Sequence, residues 1–303
     1  MSQDLVLFER QLEYIKPQLY NVEFPKLQFA NGTLIPIDES VPSSAETITY
    51  RTYTRHGLAK IISDYATDFA NADVSGKETT SVIKSVGSAF TYSIQEIRAA
   101  QSTGTNLPSK KFEAAVEAVN QKMDQIALDG EVKAGLNGLL SHPNIGEYTV
   151  PANGTGSSQK WADKTAEQIL DDMFNICEQS AIVSKNVEQV DTLLLPSINY
   201  KLIARRRASS TAPSDTTILK FFKEVMPEVT VISVPKFNGK GENGSGVMVA
   251  YERNPKKLTF EIPQDIETFP AQQEMLAYTV PVHARTGGVI IYYPLSITKA
   301  EGI

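Results

Sequence analysis

Apolar side chains recur along the chain at two spacings, and the longer spacing predicts helices. Residues 108–129 carry apolar positions three or four apart, the pattern of a helix with one buried face. Pro108 suits the first turn and Gly130 suits the end. At about 1.5 Å per residue the helix would be about 30 Å long. Its apolar stripe, which we expect in the core, consists of Phe112, Val116, Val119, Met123 and Ile126.

Two further helices are predicted from the residues that begin them. Ser93 and Glu96 match a capping box, which precedes a short helix ending near residue 101. Thr165 and Gln168 match a second capping box. The apolar face of the helix that follows is made of Ile169, Leu170, Met173, Phe174, Cys177 and Ala181.

The shorter spacing predicts strands that form a hairpin. Residues 46–54 alternate and are rich in β-branched and aromatic side chains, a second β-rich run covers 58–62, and a third returns through 79–86. We predict a protruding hairpin over 46–86 with its tip at 68–79. An isolated two-stranded hairpin is only marginally stable in water, so this one needs a partner surface. The polar tip contains Asp68, Asn71, Asp73, Gly76 and Lys77.

The first 45 residues lack the spacing of a long helix or of a hairpin, and their prolines predict an extended arm. Pro25, Pro36 and Pro42 remove hydrogen-bond donors and disfavour helix before them, which favours an extended arm with one short helix near residues 5–14. An extended arm has little to pack against in its own chain. We therefore expect residues 1–45 to lie on a neighbouring molecule.

The remaining segments mix helices and strands without the regular alternation of a parallel sheet, so the predicted fold class is α+β. No internal repeat is visible. Strands are predicted at 191–195, 229–234, 247–252, 257–262, 277–284 and 288–293, and helices from residue 199 and at 217–225.

Composition limits the function classes. The net charge of −6 argues against strong sequence-independent DNA binding, which requires clustered Lys and Arg. No apolar run is long enough to cross a bilayer, and the charged residues among the first ten are unlike a signal peptide. Cys177 is the single cysteine, so no intrachain disulfide can form. We expect synthesis in the cytosol, no export and no membrane.

No motif predicts a catalytic, cofactor-binding or metal site. The sequence lacks a phosphate-binding Walker loop, a dinucleotide fingerprint and a nucleophile elbow. His56, His142 and His283 are far apart and have no nearby cysteine, so we do not expect a metal. Cys177 and Trp161 are better explained as packed side chains than as a nucleophile and an interface anchor.

Two charged clusters have competing interpretations. Asp171 and Asp172 are adjacent on a predicted helix and point in different directions, so we expect a solvated face and not a catalytic pair. Arg205, Arg206 and Arg207 form the densest basic cluster. This cluster could contact nucleic acid or an acidic neighbour, but a solvated helix end is the more favoured reading, since the helix dipole attracts cations there.

Several segments, taken in order, resemble the major capsid proteins of tailed bacteriophages and prophages. The resemblance covers most of the chain and is weakest at 146–165 and 205–245. The most distinctive stretch is residues 280–294, with the sequence VPVHARTGGVIIYYP. The other stretches are residues 50–74, 92–100, 138–145, 193–196 and 258–263.

The resemblance implies the capsid fold of bacteriophage Hong Kong ninety-seven (HK97), which encapsulin shells share. Its parts would be an N-terminal arm, an extended hairpin loop, a peripheral domain with a long spine helix, and an axial domain. Here they would correspond to residues 1–45, 46–86, 87–145 with 255–303, and 146–254, with the spine helix at about 108–129.

The resemblance also implies a structural function without catalysis. Copies of the chain would assemble as hexamers and pentamers into an icosahedral head that encloses double-stranded DNA, in the virion, after synthesis in the host bacterial cytoplasm. Scaffold, portal and possibly decoration proteins would be its partners, and no cofactor is implied. The candidate intersubunit contacts are Asp68, Asn71, Asp73, Gly76, Lys77, Arg205, Arg206 and Arg207. An encapsulin-like bacterial compartment is the alternative, and a soluble hydrolase is a more distant one.

Overall fold

The computed structural model describes residues 27–57, 59, 71–103, 107–208 and 216–303. Its helices are α1 (Ile94–Thr103), α2 (Leu107–Asp129), α3 (Ala166–Ser184), α4 (Ser197–Arg205) and α5 (Ile218–Val225). Its strands are β1 (Ile37–Asp38), β2 (Thr47–Gly57), β3 (Ala72–Val82), β4 (Lys84–Ser93), β5 (Gly146–Thr149), β6 (Thr192–Pro196), β7 (Thr230–Val234), β8 (Val247–Tyr251), β9 (Leu258–Glu261), β10 (Gln264–Thr268), β11 (Gln272–Glu274), β12 (Ala277–Thr286), β13 (Gly288–Ile291) and β14 (Ile297–Glu301). The α+β prediction is confirmed.

The long helix α2 covers one face of the sheet that contains β4 and β12. Its predicted stripe is largely buried, with Val119, Met123 and Ile126 at 5% exposure or less, whereas Phe112 at the start is 39% exposed. Strand β12 pairs with β4 along all ten residues. Because alternate side chains of a strand point to opposite faces, Val282 and Ala284 of β12 enter the core with the α2 stripe.

A second core lies around the five-stranded sheet with strand order β5-β14-β8-β6-β7. Helix α3 packs against this sheet, and its N-terminus has the predicted capping box, with Thr165 and Gln168 bonding each other's backbone. The capping box of α1 is also present, with Ser93 and Glu96 in the two roles. Strand β14 lies between β5 and β8, so Ile297–Glu301 joins this sheet, although the sequence division placed all of 255–303 in the peripheral domain.

The second core contains a buried ion pair that was not predicted from the sequence. Asp172 was expected on a solvated face but is 1% exposed, and its Oδ2 accepts hydrogen bonds from Lys164 Nζ at 2.7 Å and Trp161 Nε1 at 3.0 Å. Burial raises the pKa of Asp172, although the bond from Lys164 opposes the rise. The attraction between the two opposite charges and their hydrogen bonds offset part of the cost of burying them. Trp161 is buried, as predicted.

Part of the expected arm is built into the subunit core. Phe29, Leu34 and Ile35 are fully buried, and β1 pairs in parallel with β9. The expectation that residues 1–45 have little to pack against in their own chain is therefore wrong for 27–38, because these apolar side chains fill the space beside α2 and β9. Residues 1–26, including the short helix predicted at 5–14, lie outside the described residues.

A buried carboxylate on α2 holds this segment in place. Asp124 is fully buried, and its Oδ1 accepts hydrogen bonds from the backbone N–H groups of three consecutive residues, 28–30, at 2.7–3.0 Å. Its Oδ2 accepts a hydrogen bond from Lys236 Nζ, which follows β7. A single side chain thus joins the spine helix, the segment before β1 and the region of the five-stranded sheet.

Two side chains extend this joint along the segment. The hydroxyl of Tyr251 donates to the carbonyl of Leu34 at 2.7 Å, and the guanidinium of Arg253 donates to the carbonyls of Gly32 and Thr33 at 2.6 and 2.9 Å. Both donors belong to the end of β8 or directly follow it. The segment before β1 is therefore fixed through its backbone by side chains from α2, from the end of β8 and from the residues that follow β8.

Replacing Asp124 with alanine should lower the free energy of unfolding by about 3–5 kcal/mol, because it leaves buried N–H groups and Lys236 without their acceptor. Urea unfolding of the full chain measures this. Asp129→Ala is the matched control on the same helix: its partner Lys240 is 40% exposed, so about 0–1 kcal/mol is expected. Equal losses for both variants would contradict the role given to Asp124.

Candidate assembly surfaces

The predicted hairpin exists, and it is a long exposed ribbon. Strands β2 and β3 pair over eleven positions, from Thr47↔Val82 at one end to Gly57↔Ala72 at the other. The strand predicted at 58–62 falls almost entirely outside the described residues. The tip was predicted at 68–79, and this is wrong, because pairing continues to Ala72 and the connection between the strands is residues 58–71.

Most of the residues predicted at the tip of the hairpin therefore lie elsewhere. Asp68 lies outside the described residues, and Asn71 directly precedes β3. Asp73, Gly76 and Lys77 lie within β3, opposite His56, Tyr53 and Thr52 respectively. These residues are poor strand formers on average, but cross-strand side-chain pairs outweigh that preference. Among these pairs are Arg51 with Glu78 at 2.7 Å, Thr49 with Thr80 at 3.0 Å and His56 with Ser75 at 2.9 Å.

The arginine cluster belongs to another region. Arg205 is the last residue of α4, and the backbone N–H of Arg206 donates to the carbonyl of Leu202. Arg207 pairs through its backbone with Thr217, in an isolated antiparallel β-bridge just before α5. Helix α4 contacts β6, β7 and α5, so the cluster is at a helix end beside the five-stranded sheet. The structure does not bring it together with the hairpin residues in one site.

The two faces of the hairpin differ in chemistry. One face carries Tyr53 and Val74, which are 66% and 55% exposed, together with the charged residues Arg51, Arg55 and Glu78. Gly76 is opposite Tyr53, and a Cβ added there would come within 3.2 Å of the tyrosine ring, so glycine lets the ring lie across the neighbouring strand. The other face carries polar side chains such as Thr54 and His56 along the outer hairpin, and Ile48 and Tyr50 at its base. Exposed side chains as large as Tyr53 and Val74, on a ribbon with no core of its own, are typical of a protein contact surface.

The base of the hairpin, which we call the root, rests on the subunit's own body. The ring of Tyr50 meets that of Tyr292 edge to face, with centroids 5.1 Å apart. Ser81 Oγ donates to the carbonyl of Gly287 at 3.3 Å. A Cβ at Gly287 would lie 2.9 Å from Ile48 Cδ1, so only glycine allows Ile48 to pack this closely.

A buried carboxyl group lies beneath the root. Glu261 Oε1 accepts hydrogen bonds from the hydroxyl groups of Thr259 and Tyr292, the latter at 3.3 Å. Burial raises the pKa of Glu261, and the negative charge of Asp38 raises it further. Burial also raises the pKa of Tyr292, to about 12. The burial of Glu261 could not be predicted, because nothing in the local sequence pattern distinguishes it from an exposed glutamate at a strand end.

Two strands that were not predicted from the sequence form a second projection. Strands β10 and β11 both pair with β12, and we call residues 264–280 the tongue. Met275 and Leu276, at the turn between β11 and β12, are 94% and 67% exposed, and Phe269 is 40% exposed. Met275 has a φ of +54°, a strained conformation for a side chain of this size. Large apolar side chains at an exposed turn suit a contact with another molecule.

The hairpin and the apolar turn of the tongue lie at opposite ends of one strand. Only Ile83 separates β3 from β4, so the hairpin root adjoins Lys84, the first residue of β4. The turn of the tongue, with Met275 and Leu276, adjoins the other end, where Ser93 pairs with Ala277. At about 3.3 Å per residue these ends are about 30 Å apart. One subunit thus presents two exposed, partly apolar projections in different places.

Reactive chemistry is not concentrated at either projection. Within the described residues, no group of three or more His, Cys, Asp or Glu side chains could hold a metal ion. Cys177 is buried, and burial raises the pKa of its thiol to about 12. Across the part of the chain that the structure describes, no helix is long and apolar enough to span a membrane. The two projections offer shape, hydrogen bonds and apolar contact.

The sequence profile of a protein family described as major capsid protein matches residues 57–303. This chain belongs to the major capsid protein family. The match includes most of the hairpin, the spine helix, both cores and the tongue. The members of this family have a structural function. This major capsid protein is therefore a shell-forming subunit that assembles with copies of itself and belongs to the virion.

Solved phage capsids share the fold. The capsid protein of Myoviridae phage XM1 is 19% identical, with 98% of this chain and 99% of that chain covered and a TM-score of 0.82. The structure from Mycobacterium phage Bobi is 12% identical, with 97% of this chain and 96% of that chain covered and a TM-score of 0.65. A virus-like particle from Pyrococcus furiosus is 16% identical, with 91% of this chain and 95% of that chain covered and a TM-score of 0.56. No curated protein matches the sequence significantly. The predicted HK97-like fold is confirmed.

The two tyrosines of β2 allow the root to be tested against the outer hairpin. Tyr50→Ala should lower the free energy of unfolding by about 1–3 kcal/mol, because it removes the ring contact with Tyr292 and buried apolar area. Tyr53→Ala, at an exposed position, should change it by less than about 0.5 kcal/mol. Chemical unfolding of both variants is the measurement, and a larger loss for Tyr53→Ala would be inconsistent with the described root.

Proposed function

We propose that this major capsid protein builds an icosahedral phage head, as hexamers and pentamers, around double-stranded DNA. The observation that carries the proposal is the eleven-pair hairpin, which is long and exposed on a chain of a shell-forming family. A two-stranded ribbon of this length gains little from its own subunit beyond the root. The face that carries Tyr53 and Val74 is stabilised when a neighbouring copy covers it.

Rings follow from the placement of the two projections. A contact between different surfaces of identical subunits is head-to-tail, and such contacts close into rings when the rotation permits. The hairpin and the turn of the tongue are different surfaces at opposite ends of β4, so each subunit can give one contact and receive another. Hexameric and pentameric rings need only small changes in the angle between neighbours.

The parts of the shell subunit are assigned as follows. Residues 1–45 are the arm, of which 27–38 are anchored in the body, and residues 46–86 are the hairpin loop. Residues 87–145 with about 255–296 form the peripheral domain around α2. Residues 146–254 with β14 form the axial domain, a change from the sequence-based division that follows the pairing of β14 with β8.

The residues that contact a neighbouring subunit are inferred from their positions on the hairpin and at the end of α4. Asn71, Asp73, Gly76 and Lys77 are exposed along the outer hairpin, and Asp68 belongs to the connection at its end. We infer that they contact the adjacent subunit. Arg205, Arg206 and Arg207 are inferred to contact a neighbour at the axial domain, where α4 ends.

The enclosed DNA is held without sequence-specific binding. A net charge of −6 gives the shell no general attraction for phosphate, so packaged DNA is free to move against the wall. Scaffold, portal and possibly decoration proteins are the further partners, and the host bacterial cytoplasm is the place of synthesis. The subunit itself carries out no catalytic step.

An encapsulin-like compartment is the second candidate, supported by the fold shared with the particle from Pyrococcus furiosus at a TM-score of 0.56. The match to a phage capsid at 0.82 favours the viral reading. Particles isolated from a producing bacterium distinguish the two functions. Nuclease-protected DNA inside them supports a phage head, and a protein cargo without DNA supports the compartment.

Shell formation depends on the outer hairpin. Replacing residues 53–76 with Asn-Gly joins the paired residues Thr52 and Lys77 through a two-residue turn. The shortened subunit should unfold at the same denaturant concentration as the natural chain but should sediment as small species. Electron microscopy and sedimentation of both proteins are the measurements. Normal shells from the shortened chain would disprove the role of the hairpin.

The two hairpin faces can be compared by placing one charge on each. Tyr53→Asp puts a carboxylate on the face that also carries Val74, and Thr54→Asp puts one on the opposite face. We expect Tyr53→Asp to reduce the shell yield at least about tenfold, since burying a carboxylate against a neighbour costs more than about 1.4 kcal/mol. Thr54→Asp should have a much smaller effect. Equal loss in both would mean that the face with Tyr53 and Val74 is not the contact.

A further inference from the structure

The side chain of Glu261 is unusual because it is 1% exposed and has no cationic partner among the described residues. Glu261 ends β9, and its neighbours in the sheet are Asp38 of β1 and Gly288 of β13. Side chains of directly paired residues leave a sheet on the same side. The two acidic side chains are therefore neighbours, and Gly288 supplies no side chain to separate or neutralise them.

The hydrogen bonds of Glu261 are incomplete. Thr259 and Tyr292 both donate to Oε1, while Oε2 is buried and has no hydrogen-bond partner within the described part of the chain. Leaving a charged oxygen buried without a donor is costly. The neutral, protonated carboxyl group is the form that this environment favours.

The titratable groups packed around Glu261 do not offset its charge. Asp38 on β1 is a second acidic group, and Tyr292 after β13 and Tyr50 on β2 cannot supply a positive charge. Lys257, which precedes β9, binds Glu188 and Glu252 instead. Arg285 on β12 donates to the carbonyl of Ser43.

Glu261 also touches the groups that hold the hairpin root. A Cβ at Gly287 would lie 3.0 Å from Glu261 Cβ and 2.9 Å from Ile48 Cδ1, so Glu261 and the start of β2 press on the same glycine. The hydroxyl of Tyr292 donates to Glu261 while its ring packs against Tyr50. Any displacement of the Glu261 side chain therefore reaches both contacts of the root.

We propose that the proton on Glu261 locks the hairpin root to the subunit body, and that its loss as the pH rises loosens the hairpin. Ionisation places a second negative charge beside Asp38 in a buried site, and the simplest relief is movement of Tyr292 and the root toward water. This switch acts inside one subunit, so it does not depend on which neighbour the hairpin contacts or on what the shell contains.

The direction of the pH effect follows from linkage. The pKa of Glu261 is raised in the folded protein above its ordinary value of 4.5, mainly by burial. The folded protein then holds this proton more tightly than the unfolded chain does. Stability from this group is full below the unfolded pKa and is lost as the pH rises toward the folded pKa.

Hydrogen exchange of the full-length chain, corrected for the intrinsic pH dependence of exchange, tests the proposal. Between about pH 5 and about pH 8, protection of residues 47–50 and 79–83 should fall at least about tenfold. Glu261→Gln keeps the shape and removes the ionisation, so its protection should stay constant. Glu267→Gln, an exposed position on β10, is the matched control and should behave like the natural chain.

A further variant keeps the proposal testable if Glu261→Gln does not fold. Asp38→Asn removes the neighbouring charge and makes ionisation of Glu261 easier, so the loss of protection should move to lower pH and become smaller. Sedimentation at each pH ensures that samples of equal assembly state are compared. Constant protection in the natural chain, an unchanged transition in Asp38→Asn, or a transition that persists in Glu261→Gln would each overturn the proposal.

Discussion

The carboxylate of Asp124 is the interaction on which the arrangement of this subunit most depends. It receives three backbone N–H groups from the segment before β1 and the ammonium group of Lys236, while sitting on the spine helix. Without this acceptor, polar backbone would be buried without hydrogen bonds beside the apolar side chains of Phe29 and Leu34. A body made rigid in this way can support a hairpin that has almost no core of its own.

The elements set by strong local patterns could be predicted from the sequence. The stripe on α2 and the capping boxes of α1 and α3 depend on residues close together in the chain, and the structure has all three. Strand β2 was predicted from its alternating Thr, Tyr and Ile residues. The bend expected at Asp73 and Gly76 is instead strand, because the pairing partner of each residue lies some twenty positions away and composition alone does not reveal it.

The buried charges were beyond the reach of the sequence. Asp124, Asp172 and Glu261 are each surrounded by side chains or backbone groups from distant parts of the chain. Asp172 was predicted on a solvated face, and no local pattern marked Asp124 or Glu261 as buried. Their environments come from tertiary packing, and this also explains the missed strands β10, β11 and β14. Those strands are short or polar, and only their partners β12 and β8 make them strands.

The position of β14 has a consequence for the order of folding. Residues 297–301 fill the place between β5 and β8, and Ile297 and Ala300 enter different cores. Pairing of such distant segments requires the closure of a long loop, which is entropically unfavourable until many contacts form together. We therefore expect the five-stranded sheet to close late in folding. Until β14 is in place, a subunit lacks the finished sheet with which it would bind other copies.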